Sequence, residues 1–469
     1  MPEPILASDP GAAEDFRPPF PARPSRPYPI ADTIRLWRKN TIAIFMDRDF
    51  SRRLHRRKVL GREIFLCLDP DFVREALIQR HETFQRKTPQ MRHSLAPLLG
   101  DGLFVSDSAT WRLRRSIVAP IVHGRRMAAF APTICETALE WRDSWRQRPS
   151  DVPVNVLGEM GELTAEIISR TIFGRRLGRQ FTGEVVAGFA DYQRHIDQID
   201  LRWLLGLPDW LPRWRGLRVQ RALRRVHRVL DDVIDRLAGQ EGDEDAVITS
   251  LFQARDEDGE PLTREAIRNE AIVIFMAGHE TTANTLAWAW YMISQSKRVR
   301  ETLHAELDQV LGGRAPTLAD MPKLVYTRAI VEETLRLYPP VPILGREAMQ
   351  DDTIDGWPVP KGSLVLVVPW LMHRNPELWS QPDHFVPERF DPRVSPRPEK
   401  NLYIPFATGP RICPGMVFGL TEAVICLATL GQEFDPVLAP GHEVEIECRL
   451  TLRPGATLPM LLRRRGPAA

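Results

Sequence analysis

The spacing of apolar residues along the chain predicts a protein that is mainly helical. From about Trp111 to Gly312, apolar positions recur mostly at helical intervals, with polar breaks near Gly183 and Gly242. Short aliphatic runs predict strands at 59–60 and 64–68 as a hairpin, at 362–368, near 444–446 and at 460–462. Together these patterns predict an α+β protein that has a large helical part and a small, mainly antiparallel sheet.

One long helix is predicted over residues 263–296. This segment contains no proline, so it is expected to run unbroken for roughly 50 Å. Its middle, 271–276, is apolar on every side and should cross the core. Gly278 and Thr281–Thr282 then interrupt the apolar run, although glycine and threonine disfavour a buried helix. A close helix contact at Gly278, with Glu280 capping a helix or ion-paired nearby, explains these residues without any chemistry.

The composition narrows the class of protein. A net charge of +2 is too small to indicate nucleic-acid binding, and neither zinc-finger spacing nor a basic-aromatic array occurs. The five cysteines are scattered and form no C-x-x-C pair, which favours a reducing compartment over a disulfide scaffold. No run approaches the ~20 apolar residues of a membrane span, and the N-terminus lacks the order of a signal peptide. We therefore expect a cytoplasmic protein without a transmembrane span.

A cysteine near the C-terminus lies within a spaced motif, F-x-x-G-x-R-x-C-x-G. Its members are Phe406, Gly409, Arg411, Cys413 and Gly415. Glycine permits a positive φ or a close backbone approach, and backbone N–H groups turned inward can stabilise an anionic sulfur. Arg411 can pair with a carboxylate of a ligand that lies over the loop. The motif therefore predicts a loop that presents one sulfur to an iron.

Four further motifs occur along the chain, and with the cysteine loop they resemble the cytochrome P-450 family from about Leu54 to about Arg463. They are Trp111 with Arg115 (W-x-x-x-R), Ala277–Thr282 (A-G-x-[D/E]-T), Glu333 with Arg336 (E-x-x-R) and Pro387–Phe390 (P-E-R-F). The resemblance implies one haem domain at 31–469, with a long central helix over the haem. Residues 1–30 are rich in Pro and Arg and are expected to be extended or partly disordered.

The resemblance also implies a cofactor, haem b, and roles for individual residues. Cys413 is expected to bind the iron as a thiolate. Trp111, Arg115, Arg346 and Arg411 are expected to bind the haem propionates, although any single arginine is by default a solvated surface residue. The remaining members of the expected cofactor-binding set are Phe406, Gly409 and Gly415.

Two more groups of residues receive roles from the resemblance. Glu280 and Thr281 are expected to pass protons to dioxygen in a pocket that excludes bulk water. Glu333, Arg336 and Arg389 are expected to form a buried network that holds the haem loop, rather than ordinary surface pairs. His279 is interpreted as a polar residue that does not bind iron.

The expected substrate pocket is mostly apolar. Its residues are Phe275, Ala277, Val341, Ile343, Leu344 and Thr451. They favour a hydrophobic small molecule of the fatty-acid, terpenoid or steroid class. The Trp-rich segment 201–214 is expected to be a mobile lid over the channel, with peripheral membrane contact as the alternative.

The predicted function is that of a haem-thiolate monooxygenase, which hydroxylates or epoxidises its substrate with O2 and two external electrons. No flavin or iron–sulfur domain occurs, so a separate ferredoxin or flavodoxin with an NAD(P)H-dependent reductase is expected. Arg112, Arg114, Arg125 and Arg126 form either its docking face or a solvated basic face. The protein is expected to be a monomer. The alternatives are a haem-thiolate peroxygenase or isomerase, and a haem-binding sensor or carrier without turnover.

Overall fold

A computed structural model describes residues 16–59, 62–174, 178–196, 216–238 and 244–466. Its helices are α1 (Ile30–Lys39), α2 (Pro70–Arg74), α3 (Pro89–Leu99), α4 (Ser108–Ile121), α5 (Met127–Arg146), α6 (Val156–Phe173), α7 (Gly178–His195), α8 (Leu217–Leu237), α9 (Val247–Gln253), α10 (Arg264–Gln295), α11 (Lys297–Val310), α12 (Val325–Leu337), α13 (Pro369–Met372) and α14 (Met416–Gly431). Its strands are β1 (Leu54–Val59), β2 (Arg62–Cys67), β3 (Arg86–Lys87), β4 (Val154–Asn155), β5 (Leu344–Glu347), β6 (Asp352–Ile354), β7 (Trp357–Val359), β8 (Leu364–Val367), β9 (Phe434–Leu438), β10 (Glu447–Cys448), β11 (Leu452–Arg453) and β12 (Pro459–Arg464). The predicted mixture of a large helical part and small sheets is therefore observed.

The long helix α10 forms the centre of the molecule. It has 32 residues and begins where the Thr263 hydroxyl accepts a hydrogen bond from the Ala266 N–H at 3.2 Å. Its length is about 48 Å, and its apolar middle is buried against α6, α12 and α14. The predicted bounds are correct to within one residue, because a capping threonine and the lack of proline are both local signals.

A close contact between α10 and α6 depends on a glycine. A Cβ at Gly278 would lie 2.7 Å from Cδ1 of Ile168 on α6. Next to this contact, the Thr164 hydroxyl of α6 donates to the His279 carbonyl of α10 at 3.0 Å. The close helix packing expected at Gly278 is therefore present, and it places α6 beside the helix residues that carry the candidate chemistry.

The strands form small sheets, of which the largest has the order β1-β2-β8-β5-β3. Its pairs are antiparallel except for β2 with β8, which is parallel. A second sheet has the order β4-β12-β9. Strand β1 begins at Leu54, five residues earlier than predicted, since the Arg, His and Lys residues typical of an edge strand hide its pattern. The strand predicted near 444–446 is displaced to Glu447–Cys448.

The described part of the N-terminal segment, 16–29, has no regular secondary structure but packs against the rest of the chain. The ring of Phe16 lies 6.0 Å from that of Tyr291, and the Tyr338 hydroxyl donates to the Pro19 carbonyl. Residues 1–15 and the lid predicted at 201–214 lie outside the described residues. Among the helices that the structure describes, none combines the length and the apolarity needed to cross a bilayer.

Candidate functional site

A large cavity lies between α10 and the loop that precedes α14. The centres of water-sized spheres fill about 260 Å³ of it, and its walls are predominantly apolar. The predicted site residues that line it are Trp111, Arg115, Ala277, Thr281, Val341, Ile343, Leu344, Arg346, Phe406, Arg411, Cys413 and Gly415. Residues from three of the five motifs, W-x-x-x-R, A-G-x-[D/E]-T and the cysteine loop, therefore meet in one cavity together with residues 341–346.

Cys413 lies in the loop at the base of this cavity. Its backbone N–H donates to the Phe406 carbonyl at 2.9 Å, which closes the loop. Gly409 has φ +72°, and a Cβ there would lie 2.3 Å from the Leu77 carbonyl oxygen, so the close approach requires glycine. Burial raises the pKa of the Cys413 thiol, while the Gly415 N–H and the Arg115 charge lower it. Because burial opposes ionisation, a thiolate at this position would need a bound metal cation to stabilise it.

Four cationic side chains, Lys87, Arg115, Arg346 and Arg411, line the same cavity. Burial lowers the pKa of Arg346 to about 10 and that of Arg411 to about 9, and the two arginines also repel each other. The only carboxylate that acts on Arg411 in the described part of the chain is Asp107, which is itself paired with Arg86 at 2.9 Å. Buried cations are costly without anionic partners.

The Arg411 side chain shows this deficit of partners directly. Its Nη2 donates to the Ser106 carbonyl at 2.7 Å, but its buried Nε has no hydrogen-bond partner among the described residues. The guanidinium lies 4.5 Å over the ring of Trp111. Carboxylates of a bound group would satisfy these donors. An apolar cavity, a thiol at its base and cations at its edge together fit haem, with its iron and two propionates.

Thr281 lines the cavity, whereas Glu280 points away from it. The Thr281 hydroxyl donates to the Ala277 carbonyl at 2.6 Å. The Glu280 carboxyl group accepts from Gln193 Nε2 at 2.7 Å and from the Thr451 hydroxyl at 2.6 Å. Burial raises the pKa of Glu280, and these two hydrogen bonds lower it. The predicted acid and alcohol are therefore adjacent in sequence but face different compartments.

Two residues predicted for the substrate pocket, Phe275 and Thr451, do not line the large cavity. Successive helix residues project about 100° apart, so Phe275 and Ala277 cannot face the same side. The ring of Phe275 instead lies 6.0 Å from the ring of His279. His279 is buried away from the cavity, and burial lowers its pKa to about 4, so it is neutral. Thr451 contacts Glu280 instead of the cavity.

The residues Glu333, Arg336 and Arg389 form a buried network behind the cysteine loop. Arg336 binds both oxygens of Glu333, at 2.6 and 2.7 Å, and donates to the His373, Pro382 and His384 carbonyls. Arg389 lies 3.5 Å from Glu333. His373 Nε2 accepts the Ile404 N–H at 3.0 Å and so connects the network to the chain just before Phe406.

Glu422 is a buried acid that the motifs did not indicate. It lies on α14, nine residues after Cys413, and burial raises its pKa well above the usual value. The nearby hydroxyl of Thr282, a residue that lines the cavity, lowers this pKa. The available signal was that Glu422 is the one charged residue in an otherwise apolar helix.

Comparison with known proteins places these features in a family. The Cytochrome P-450 family model matches residues 49–458. Cyclooctatin synthase from Streptomyces melanosporofaciens is 32% identical over 401 residues, which cover 84% of this chain and 85% of that protein. Cyclooctat-9-en-7-ol 5-monooxygenase from the same organism is 28% identical, over 80% of this chain and 81% of that protein.

A solved structure extends the comparison to the fold. The crystal structure of the cytochrome P450DA haem domain has a TM-score of 0.79 and 25% identity, and the match covers 96% of this chain and 99% of that chain. The predicted family and fold class are both confirmed. The chain belongs to the cytochrome P-450 family, and it is a haem-dependent oxidoreductase of the monooxygenase type.

Proposed function

We propose that this protein inserts one oxygen atom of O2 into a hydrophobic small molecule, with Cys413 as the iron ligand of a haem b group. The observation that carries the proposal is the meeting, in one apolar cavity, of a half-buried thiol with cations that are short of carboxylate partners. When it is bound, a haem with a thiolate ligand supplies the chemistry that cleaves the O–O bond.

The residues of the chain divide the remaining tasks. Arg115, Arg346 and Arg411 would bind the two propionates, and the loop that Gly409 allows would aim the sulfur. Ala277 presents only a methyl group to the cavity, which leaves space for a substrate. The Thr281 hydroxyl lines the cavity, donates its proton to the Ala277 carbonyl, and would pass a proton to dioxygen.

The cavity walls support the proposed substrate class. Val341, Ile343 and Leu344 line the cavity with apolar side chains, which favours a hydrocarbon-rich molecule such as a fatty acid, terpenoid or steroid. The name of one relative states that it acts on cyclooctat-9-en-7-ol. Hydroxylation of an unsaturated cyclic hydrocarbon or its alcohol is therefore the first reaction to test. Electrons would come from a separate ferredoxin or flavodoxin and its NAD(P)H-dependent reductase.

The ligand assignment is tested by Cys413→Ala, with Cys448→Ala as the matched control. Cys448 is also a free cysteine, but it is buried, its sulfur lies 3.1 Å from the Thr41 hydroxyl and it does not line the cavity. We expect Cys413→Ala to lose both product formation and the red-shifted ferrous–CO Soret band, and Cys448→Ala to keep both. A band that survives in Cys413→Ala and disappears in Cys448→Ala would refute the assignment.

The reaction type is tested by supplying either O2 with donor proteins or hydrogen peroxide alone. We expect product with O2, NAD(P)H and donor proteins. Product with peroxide alone, and none with donor proteins, would instead identify a peroxygenase. A low-spin to high-spin Soret shift, measured across a panel of lipids and terpenoids, would select the substrates for this assay.

A further inference from the structure

Arg114 is a buried cation on α4, a helix whose arginines were expected to form a basic face. Arg114 is only 7% exposed. The side chain of its neighbour Arg112 is 55% exposed and lies 3.4 Å from Glu82, which is itself exposed. A buried charge is costly unless it is paired. Arg114 is therefore neither a solvated residue nor part of a docking face, and its role lies in the contacts that it makes inside the protein.

The guanidinium of Arg114 is paired with two acids from different parts of the chain. Its Nη2 donates to Asp101 Oδ2 at 2.8 Å, and its Nε lies 3.5 Å from Oε1 of Glu270. Asp101 belongs to the loop between α3 and α4, residues 100–107, whereas Glu270 belongs to α10. Asn269 Nδ2, also on α10, donates to Asp101 Oδ1 at 3.0 Å. One guanidinium therefore joins α4, this loop and the long helix.

The same loop forms one wall of the large cavity. Leu103 and Phe104 line the cavity, and the Leu103 N–H donates to Glu270 at 3.0 Å. The loop also packs closely on α10, because a Cβ at Gly102 would lie 2.7 Å from Cγ2 of Val273, another residue of the cavity lining. The wall is thus held against α10 by hydrogen bonds as well as by packing.

We propose that Arg114 is a positioning residue that holds the wall formed by Leu103 and Phe104 at a fixed distance from α10, and so limits the size of the molecule that the cavity accepts. It acts through the two acids with which it pairs. The inference rests on the proposed function, in which a hydrophobic molecule binds in this cavity. One methylene group in an apolar pocket changes discrimination by roughly 10- to 200-fold. A wall that is free to move should therefore lose affinity for ligands that pack against it.

The positioning role is tested with Arg114→Met in the haem-loaded protein, with Arg112→Met as the matched control on the same helix. The probes are imidazole and 4-phenylimidazole, which bind haem iron through nitrogen and shift the Soret band, so each Kd is read without turnover. Imidazole is too small to need the wall, and its Kd should stay unchanged in both variants. The phenyl group needs the wall, so we expect the Kd of 4-phenylimidazole to rise roughly five- to ten-fold in Arg114→Met alone. An unchanged Kd for this probe, or equal losses for both probes, would overturn the proposal.

A second variant decides the question if Arg114→Met does not fold. Asp101 has a side chain that is 53% exposed, so Asp101→Ala removes its hydrogen bonds to Arg114 and Asn269 without opening the core. We expect the Kd of 4-phenylimidazole to rise roughly two- to five-fold in this variant. Arg114→Lys keeps the charge and should retain most of the wild-type affinity. Wild-type affinity in Asp101→Ala would refute the proposed link between the loop and the size of the ligand.

Hydrogen–deuterium exchange separates failure of this inference from failure of the proposed function, because it requires neither substrate nor turnover. The Leu103 N–H is held by Glu270, so its exchange should quicken roughly ten-fold in Arg114→Met and Asp101→Ala and stay unchanged in Arg112→Met. Unchanged exchange in the first two variants would show that Arg114 does not hold the loop, whatever reaction the protein catalyses. Faster exchange without a change in the Kd of 4-phenylimidazole would likewise refute control of ligand size.

Discussion

Cys413 differs from the other cysteines in the charge beside it. The charged neighbour of its thiol is Arg115. Each of the other four thiols has a carboxylate that raises its pKa: Glu75 for Cys67, Asp320 for Cys135, Glu422 for Cys426 and Glu447 for Cys448. A neighbouring cation favours a thiolate and a carboxylate opposes it. Burial still raises the pKa of Cys413, but it is the one of the five thiols whose neighbouring charge favours the thiolate.

Thr281 is expected to control how efficiently electrons are used. Thr281→Val removes the only hydroxyl of that side chain while keeping its shape, so substrate binding should persist as proton transfer fails. We expect a roughly 10- to 100-fold loss of product per NAD(P)H, with the electrons recovered as hydrogen peroxide. Thr285→Val is the matched control, since Thr285 lies one turn along α10, also lines the cavity and donates to the Thr281 carbonyl at 2.8 Å. Equal coupling in the two variants would contradict a relay role.

Arg336 is expected to stabilise the folded protein and to take no part in the reaction. Its side chain is fully buried and makes five hydrogen bonds, which a lysine ammonium cannot reproduce in the same plane. Arg336→Lys should therefore lower the free energy of unfolding by roughly 3–5 kcal/mol, measured by urea denaturation. Arg328→Lys, at a half-exposed pair with Glu332 on the same helix, should cost less than about 1 kcal/mol. Similar losses in both variants would contradict the network.

At the scale of elements, three faces of α10 contact three different neighbours. Ala277 and Thr281 are four residues apart and share the face toward the cavity. Glu280 faces a smaller, polar pocket, and Gly278 lets α6 approach from another side. A substitution on one face of the helix therefore acts on the neighbour that this face contacts. One helix thereby contacts the apolar cavity, the polar pocket and the core of the protein.

The N-terminal half of α10 also anchors the loop between α3 and α4. Glu270 is buried and accepts the Leu103 N–H at 3.0 Å, and Arg114 lies 3.5 Å from it and 2.8 Å from Asp101. Burial raises the pKa of Glu270 to about 8, while Arg114 and the Leu103 N–H lower it and Asp101 raises it. Leu103 lines the large cavity, so this acid supports one wall of the site.

Glu270 should make the stability of the protein depend on pH. Between its ordinary pKa of 4.5 and the folded value of about 8, the folded chain binds more protons than the unfolded chain, so the free energy of unfolding falls as pH rises. Glu270→Gln removes this dependence and can still accept the Leu103 N–H. We expect Glu270→Gln to gain stability relative to the wild type from pH 5 to pH 8 in urea denaturation, and the exposed Glu265→Gln to show no such trend. A constant difference across that range would contradict the shift.

At the scale of the whole molecule, the site is assembled from distant parts of the chain. The cavity is lined by residues from Lys87 to Ala423, and the parallel pair β2 and β8 joins segments about 300 residues apart. The N-terminal segment contacts residues that follow α12 and α13. Arg17 donates to His384 at 2.9 Å, and the His384 carbonyl in turn accepts from Arg336. The first described residues therefore contact the network that supports the cysteine loop.

Deletion of residues 1–23 should consequently destabilise the folded protein. It removes the contacts of Phe16 with Tyr291, of Arg17 with His384, of Pro19 with Tyr338 and of Arg23 with Asp383. We expect a loss of roughly 2–4 kcal/mol in the free energy of unfolding, at about 1 kcal/mol for each lost polar contact. Deletion of residues 1–15 keeps every one of these contacts and is the control. Equal urea midpoints for the two truncated proteins would show that the segment does not contribute to stability.

Much of the site was predictable because its signals are local. The bounds of α10 follow from a capping threonine and the absence of proline. The cysteine loop depends on Gly409, whose positive φ and close approach to Leu77 exclude a side chain. The cations Arg115, Arg346 and Arg411 were expected from the resemblance to the family, whereas Lys87 was not predicted. For the helix and the loop, the steric and hydrogen-bonding constraints act over a few residues of chain, so the amino-acid sequence by itself determined the element and the residue types.

The direction that each side chain faces was decided only by tertiary structure. Glu280 and Thr281 are neighbours in sequence, but packing against α7 and the loop around residue 451 turned the acid toward a separate polar pocket. The same packing took Thr451 out of the predicted substrate pocket, and the burial of Glu422 depends on α10 lying against α14. Helical phase relative to distant partners is a property of the packed molecule, because the free energy that selects it comes from contacts between segments hundreds of residues apart.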